Sequence, residues 1–130
     1  MVIDTSAVLA VLLEEPEAPA FRRALSHDPV RMMSAVSALE TTCVLESRRG
    51  EQAGVEFELL LHKITVRIMP FDERQLEAAR DAWRKFGKGR HPAGLNLGDC
   101  VAYALAKVAG ERLLFKGNDF TQTDIPAVTV

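Results

Sequence analysis

Four acidic residues stand where acids are costly. Asp4 ends the apolar run Met1-Val2-Ile3, and Glu40 interrupts the stripe Val36, Leu39, Cys43. Asp99 opens the hydrophobic stretch Cys100 to Ala109, and Asp119 follows Leu113-Leu114-Phe115 and the turn residues Lys116-Gly117-Asn118. A carboxylate beside an apolar element needs solvent, a partner or a metal. Brought together, four of them repel, and some must take up protons more readily than free carboxylates do. A divalent cation is the simplest group that relieves the conflict. Hard carboxylate oxygens suit Mg²⁺ or Mn²⁺, whereas no Cys/His spacing fits structural zinc.

Competing chemistries find less support. His27, His62 and His91 lie far apart, and none has a visible acid partner. The strand-turn nucleophile pattern, the phosphate-loop lysine pattern and the dinucleotide glycine pattern are all absent. That weighs against a triad hydrolase, a nucleotide triphosphatase and a Rossmann enzyme. A net charge of -2 does not describe a general nucleic-acid coat. Its distribution says more. Arg80, Arg84, Lys85, Lys88 and Arg90 fall within eleven residues, opposed only by Asp81 and adjoined by His91. Such a patch suits phosphate beside an acidic centre, or simply a solvated helix end.

Positioning these groups falls to a chain of 130 residues, enough for one domain, 1–130, whose core folds without staples. Cys43 and Cys100 each sit in an apolar helical run, which predicts two buried free thiols and a reducing compartment. The early apolar run Ala7 to Leu13 is too short to span a bilayer. It lacks a basic leader and meets Glu14-Glu15, which predicts no signal peptide, no membrane and a cytoplasmic location.

Short apolar segments alternate with longer helical ones. Met1 to Asp4, Val30 to Met33, Val66 to Met69 and Arg112 to Phe115 read as strands, with a weak last one at Ala127 to Val130. Ser6 and Ser34 are candidate helix caps. Pro16 and Pro19 separate the first helix from a second near Pro19 to Ser26. Ala53, Phe57, Leu60 and Ile64 mark a further helix. So do Leu76, Ala79, Trp83 and Phe86, a stripe expected to pack in the core. The pattern predicts an α/β fold with a mostly parallel sheet covered on both faces. Active residues then belong beyond the carboxyl ends of the strands, near a reversal of strand order.

The segments carrying the acids also carry a resemblance. Val2-Ile3-Asp4-Thr5-Ser6-Ala7 resembles the opening strand and first acid of PIN-domain ribonucleases. Ser37-Ala38-Leu39-Glu40 resembles their second acidic segment, and Leu95 to Ala106, through Asp99, resembles the third. Leu113 to Phe120, with Thr123-Asp124 beyond, resembles the fourth. The ordered set covers almost the whole chain and is most similar to the VapC toxin branch.

This resemblance implies a three-layer α/β/α sandwich and Mg²⁺- or Mn²⁺-dependent cleavage of structured RNA such as tRNA or rRNA. It also implies a homodimer held inactive by a VapB-type antitoxin. Asp4, Glu40 and Asp99 are then first choices for direct or water-mediated metal ligands, and Asp119 completes the quartet. Thr5, Ser6 and Asn96 are candidates for supporting hydrogen bonds. Asp124 is a candidate for the site or for an Asx turn before Ile125-Pro126. Arg84, Lys85, Lys88 and Arg90 are candidate RNA contacts, with His91 beside them. Two other readings use the same residues: a PIN-like module that grips RNA or protein without cutting, and a structure-specific DNA nuclease. An antitoxin segment would find apolar side chains at Val8, Leu9, Leu12 and Leu13, although core packing also explains them.

Overall fold

The computed structural model describes residues 1–130. Four short strands form one parallel sheet: β1 (Val2–Ile3), β2 (Met32–Ser34), β3 (Arg67–Met69) and β4 (Leu113–Leu114). Their order across the sheet is β3-β2-β1-β4, so the direction of strand addition reverses between β1 and β4. Six helices complete the chain: α1 (Thr5–Leu12), α2 (Ala18–His27), α3 (Ala35–Arg49), α4 (Glu51–Lys63), α5 (Glu73–Phe86) and α6 (Leu97–Ala109). The result is an α/β/α sandwich.

Side chains alternate across a strand, and that period divides the core in two. Ile3, Met33 and Leu114 face one layer, where they pack with Val8, Phe21, Leu45 and Phe57 from α1 to α4. Val2, Met32 and Leu113 face the other, against Ala82 of α5 and Cys100, Tyr103 and Leu105 of α6. α6 is buried continuously from Cys100 to Ala106 because it lies against three strands and two helices. The expected apolar excess of α1 is absorbed here: Val8 is buried, and Leu9, Leu12 and Leu13 are half-buried against the first layer.

Several expectations are corrected. Cys43, expected to be buried, is exposed, as are Val36 and Leu39 of the same stripe, and Ser37, Thr41 and Leu45 form the buried face of α3. Apolar spacing alone does not say which stripe of a helix meets the sheet. Only Cys100 is a buried thiol. Trp83 and Leu76 are likewise exposed, while Gln75 and Ala82 take the inner positions of α5. The final strand reduces to one bridge, Leu113 to Ala127.

Candidate active site

The acidic centre begins where β1 becomes α1. The Asp4 amide bonds the Leu114 carbonyl at 2.9 Å, so its backbone is still tied to β4 when the helix starts. Asp4, rather than Ser6, is the helix cap: its backbone is extended, and its Oδ2 accepts the Ser6 amide at 3.1 Å. Ser6 Oγ donates to the same oxygen at 2.5 Å. It also accepts the Lys116 amide at 3.0 Å. One hydroxyl therefore joins the first acid to the segment that leads to Asp119. Gly117, at φ +97°, occupies the left-handed region that makes the turn between them.

Lys116 Nζ reaches back to Glu15 and, at 3.2 Å, to Glu17. The bond to Glu15, then that to Glu17, raises its pKa. This anchoring was not legible in sequence, since the partners are about a hundred residues apart and carry no motif.

Glu40 projects from α3, half-buried. Ser34 caps that helix as expected, accepting the Val36 amide at 3.2 Å. The α1–α3 contact is closed by hydroxyls. Thr5 Oγ1 donates to the Ser37 carbonyl at 3.2 Å, and Thr41 Oγ1 donates to the same carbonyl at 2.8 Å. Thr5 thus fixes the height of α3, and with it Glu40, relative to Asp4. The Glu40 carboxylate lies over Gly98, where any Cβ would overlap Oε2.

Asp99 is the third residue of α6. Asn96 Oδ1 accepts its amide at 2.9 Å, and Asp99 Oδ2 accepts the Asn96 amide at 3.0 Å. This reciprocal pair satisfies two orphan donors and fixes the carboxylate at the helix mouth. Asn96 therefore acts by orienting Asp99. Asp119 sits exposed in the loop after β4.

The electrostatics show which acids face one another. Burial pushes the Asp99 carboxyl up to about 6, opposed by the Asn96 hydrogen bond and reinforced by Asp4, Asp119 and Glu40. Burial raises Asp4 as well, against the lowering effect of its Ser6 bonds and with a further push from Glu40. Asp4, Glu40 and Asp119, from three other segments, thus each act on Asp99, and Glu40 also acts on Asp4. No three His, Cys, Asp or Glu side chains are grouped tightly enough to cage a cation by themselves. The donor chemistry nonetheless fits a hard divalent ion: all oxygen, partly desolvated and mutually repelling.

Asp124 stands apart. It accepts Tyr103 Oη at 2.6 Å and pairs with Lys107 at 2.9 Å, and the tyrosine bond foremost holds its carboxyl below the usual range. It is absent from the groups acting on Asp99. Nor does it form the Asx turn: its oxygens accept Tyr103 Oη and Lys107 Nζ, and the residue two positions on, Pro126, has no amide hydrogen to donate.

The basic segment is only partly committed. Arg80 pairs with Glu77 at 2.7 Å, Arg84 with Asp81 at 3.9 Å, and Arg90 lies 5.8 Å over the Trp83 ring. Lys85 and Lys88 are exposed with no ion pair. His91 accepts the Ala93 amide at 3.0 Å and meets Phe86 edge-on, which gives it a place in the loop structure.

The fold is an α/β/α sandwich on a parallel sheet, with Asp4 following β1 and Asp119 following β4 on either side of the strand-order reversal. The PIN domain model matches residues 1–126, and the chain belongs to the PIN-domain family. Curated relatives narrow this further. Ribonuclease VapC of Mycolicibacterium smegmatis is 56% identical over 98% of this chain and 99% of its own. Ribonuclease VapC30 of Mycobacterium tuberculosis is 52% identical over 100% of this chain and 99% of its own. Among solved structures, the Mycobacterium tuberculosis VapC20 toxin superposes with a TM-score of 0.80 at 20% identity, covering 98% of this chain and 97% of that one. A toxin-antitoxin complex from Klebsiella pneumoniae gives 0.74 at 19%, covering 98% and 95%. These two distant likenesses speak to the fold.

Proposed function

We propose that this chain is a divalent-metal-dependent endoribonuclease, the toxin of a toxin-antitoxin pair, hydrolysing phosphodiester bonds in structured cellular RNA such as tRNA or rRNA. The observation that carries the reading is the field at Asp99, which Asp4, Glu40 and Asp119 all strengthen from separate segments. The kinship with mycobacterial VapC ribonucleases supports it.

In this reading Asp4, Glu40 and Asp99 hold Mg²⁺ or Mn²⁺, with Asp119 completing the set. A bound divalent cation supplies an acidified water and offsets charge on the phosphate. Ser6 keeps Asp4 oriented and ties it to the Lys116 segment. Asn96 orients Asp99, and Thr5 sets the spacing to Glu40. Arg84, Lys85, Lys88 and Arg90 attract phosphates without reading bases. Water attacks phosphorus, the bond to the 3′ oxygen breaks, and that oxygen takes a proton. The products are a 5′-phosphate and a 3′-hydroxyl.

The cognate VapB-type antitoxin would lay an apolar segment on the protein and send a basic side chain toward Asp4, Glu40 and Asp99, competing with metal and RNA. The working form is a cytoplasmic homodimer. No helix is long and apolar enough to cross a membrane.

The test is side-by-side digestion of RNA and DNA panels with Mg²⁺ or Mn²⁺, using EDTA and Asp99→Asn as controls. Metal-dependent RNA cleavage lost in both controls is expected. Tight RNA binding without cleavage would instead make the protein a binding module. Preferential DNA cleavage would make it a structure-specific DNA nuclease.

A further inference from the structure

Three of the four acids are set by helices: Asp4 caps α1, Glu40 stands on α3 and Asp99 lies in the first turn of α6. Asp119 has no helix beneath it. It sits exposed in the loop after β4, yet it acts on Asp99. Something must hold that loop toward the centre. Phe115, Lys116 and Gly117 belong to no strand or helix, and Lys116 supplies the hydrogen bonds of this stretch. Its amide donates to Ser6 Oγ at 3.0 Å, and its ammonium donates to Glu15. Glu17 Oε2 lies 3.2 Å from the same ammonium. That oxygen is shut off from solvent and has no other partner.

The two receiving acids are placed by their own turn. Glu14 stands at φ +54°, a conformation uncommon for any residue with a side chain. Arg22 donates to the Val11 carbonyl at 3.2 Å and to the Glu14 carboxylate beside it. The Glu15 amide returns to the Ala10 carbonyl at 2.9 Å. The turn between α1 and α2 is therefore built, and an ammonium arriving from β4 meets two carboxylates already in position. Exposed ion pairs contribute little to stability. The side chains of Lys116, Glu15 and Glu17 are 36%, 29% and 43% exposed, so the clamp is better explained by what it holds.

We propose that Lys116 is a positioning residue: fastened by Glu15 and Glu17, it holds the 115–120 loop so that Asp119 faces Asp4, Glu40 and Asp99. It works through the loop and does not touch the substrate. Its amide, through Ser6, also reaches Asp4, so one residue couples the first acid to the fourth. The consequence for metal binding rests on the proposed function; the fastening of the loop does not.

The experiment uses the full chain and compares Lys116→Met, which keeps the side-chain stem and the backbone amide, with Lys116→Arg and with Glu15→Gln combined with Glu17→Gln. In EDTA, hydrogen exchange over residues 115–120 should be about tenfold faster in Lys116→Met and in the glutamine pair, with α3 and α6 unchanged. Mn²⁺ affinity by titration calorimetry should fall about tenfold in both, as when a supporting partner of a ligand is lost. On RNA, kcat should fall while KM holds. Lys116→Arg should recover most of each loss, because a guanidinium can still pair with both acids. The triple variant, Lys116→Met with both glutamines, should be no worse than Lys116→Met, since the three residues serve one link. Weaker RNA binding by Lys116→Met, with wild-type exchange and Mn²⁺ affinity, would make Lys116 a phosphate contact and overturn the proposal. Additive losses, or a glutamine pair that behaves as wild type, would overturn it too. Exchange in EDTA needs neither metal nor RNA. If the wild type neither binds Mn²⁺ nor cuts RNA, the nuclease reading fails while faster loop exchange still supports the positioning; unchanged loop exchange in an active enzyme removes this inference alone.

Discussion

Replacing Asp99 with Asn should stabilise the metal-free protein while abolishing its activity. Asn is nearly isosteric, and its amide oxygen can still accept the Asn96 amide. What disappears is a charge that the folded state holds with difficulty. Burial first, and then the neighbouring acids, push the Asp99 carboxyl from 3.8 to about 6. At about 1.4 kcal/mol per pH unit the ceiling is about 3 kcal/mol. Asp99 is only partly buried, so solvent screening reduces this to about 1–2 kcal/mol. Loss of a negative charge at a helix amino terminus returns about 0.3–1 kcal/mol. The net gain is about 1 kcal/mol, or a rise of about 3–6 °C in Tm for a chain of this size.

The sign with pH follows from proton binding. Below about pH 3, Asp99 is largely protonated in both states and contributes little difference. Between about 4 and 6 the folded state keeps its proton while the unfolded state releases it, so stability falls as pH rises. Above about 6 the full penalty is present. The advantage of Asp99→Asn should therefore be largest at pH 7.5 and shrink toward pH 4, measured by thermal unfolding in EDTA. Saturating Mn²⁺ should reverse the order, adding about 2.7 kcal/mol to the wild type at a hundredfold excess over Kd. A variant less stable than wild type at pH 7.5 in EDTA, or a difference that grows on acidification, would refute the electrostatic reasoning.

Three further outcomes test the surrounding structure. Gly98→Ala places a methyl group in the space held by Glu40 and should lower Mn²⁺ affinity about 10–100-fold with an unchanged circular dichroism spectrum; unchanged titration calorimetry would show that Glu40 is not a ligand. Ser6→Ala removes the links to Asp4 and Lys116 and should cost about 1–3 kcal/mol in urea unfolding, with Ser6→Thr recovering part of it. Neutralising Arg84, Lys85, Lys88 and Arg90 together should weaken binding of an RNA oligonucleotide and flatten its salt dependence; an unaltered slope would mark the segment as solvated surface.

The sheet and the acids were legible because their signals are local. A two- or three-residue strand followed by a capped helix announces itself through apolar runs and turn residues; Asp4 lies at such a junction, Asp99 in the capped first turn of α6, and Asp119 in the loop after β4. What joins them was not legible. The Ser6 hydroxyl reaches Lys116 across 110 positions, and Glu15 reaches the same lysine across 101. Nothing in the spacing of a serine or a glutamate announces a partner at that range. Ser6 was read as the cap because Ser is a common capping residue. Asp4 took the role because the helix starts one residue after the strand ends.

The errors on α3 and α5 have one cause. Helical periodicity identifies an apolar stripe but not what covers it. The stripe predicts burial of Cys43 on α3 and of Leu76 and Trp83 on α5, yet Ser37, Thr41, Gln75 and Ala82 occupy the inner side. On α3 the Thr41 hydroxyl meets its need within the helix by donating to the Ser37 carbonyl, and on α5 the small Ala82 packs against α6. Leu45 is buried on α3, while Val36, Leu39, Leu76 and Trp83 lie outside.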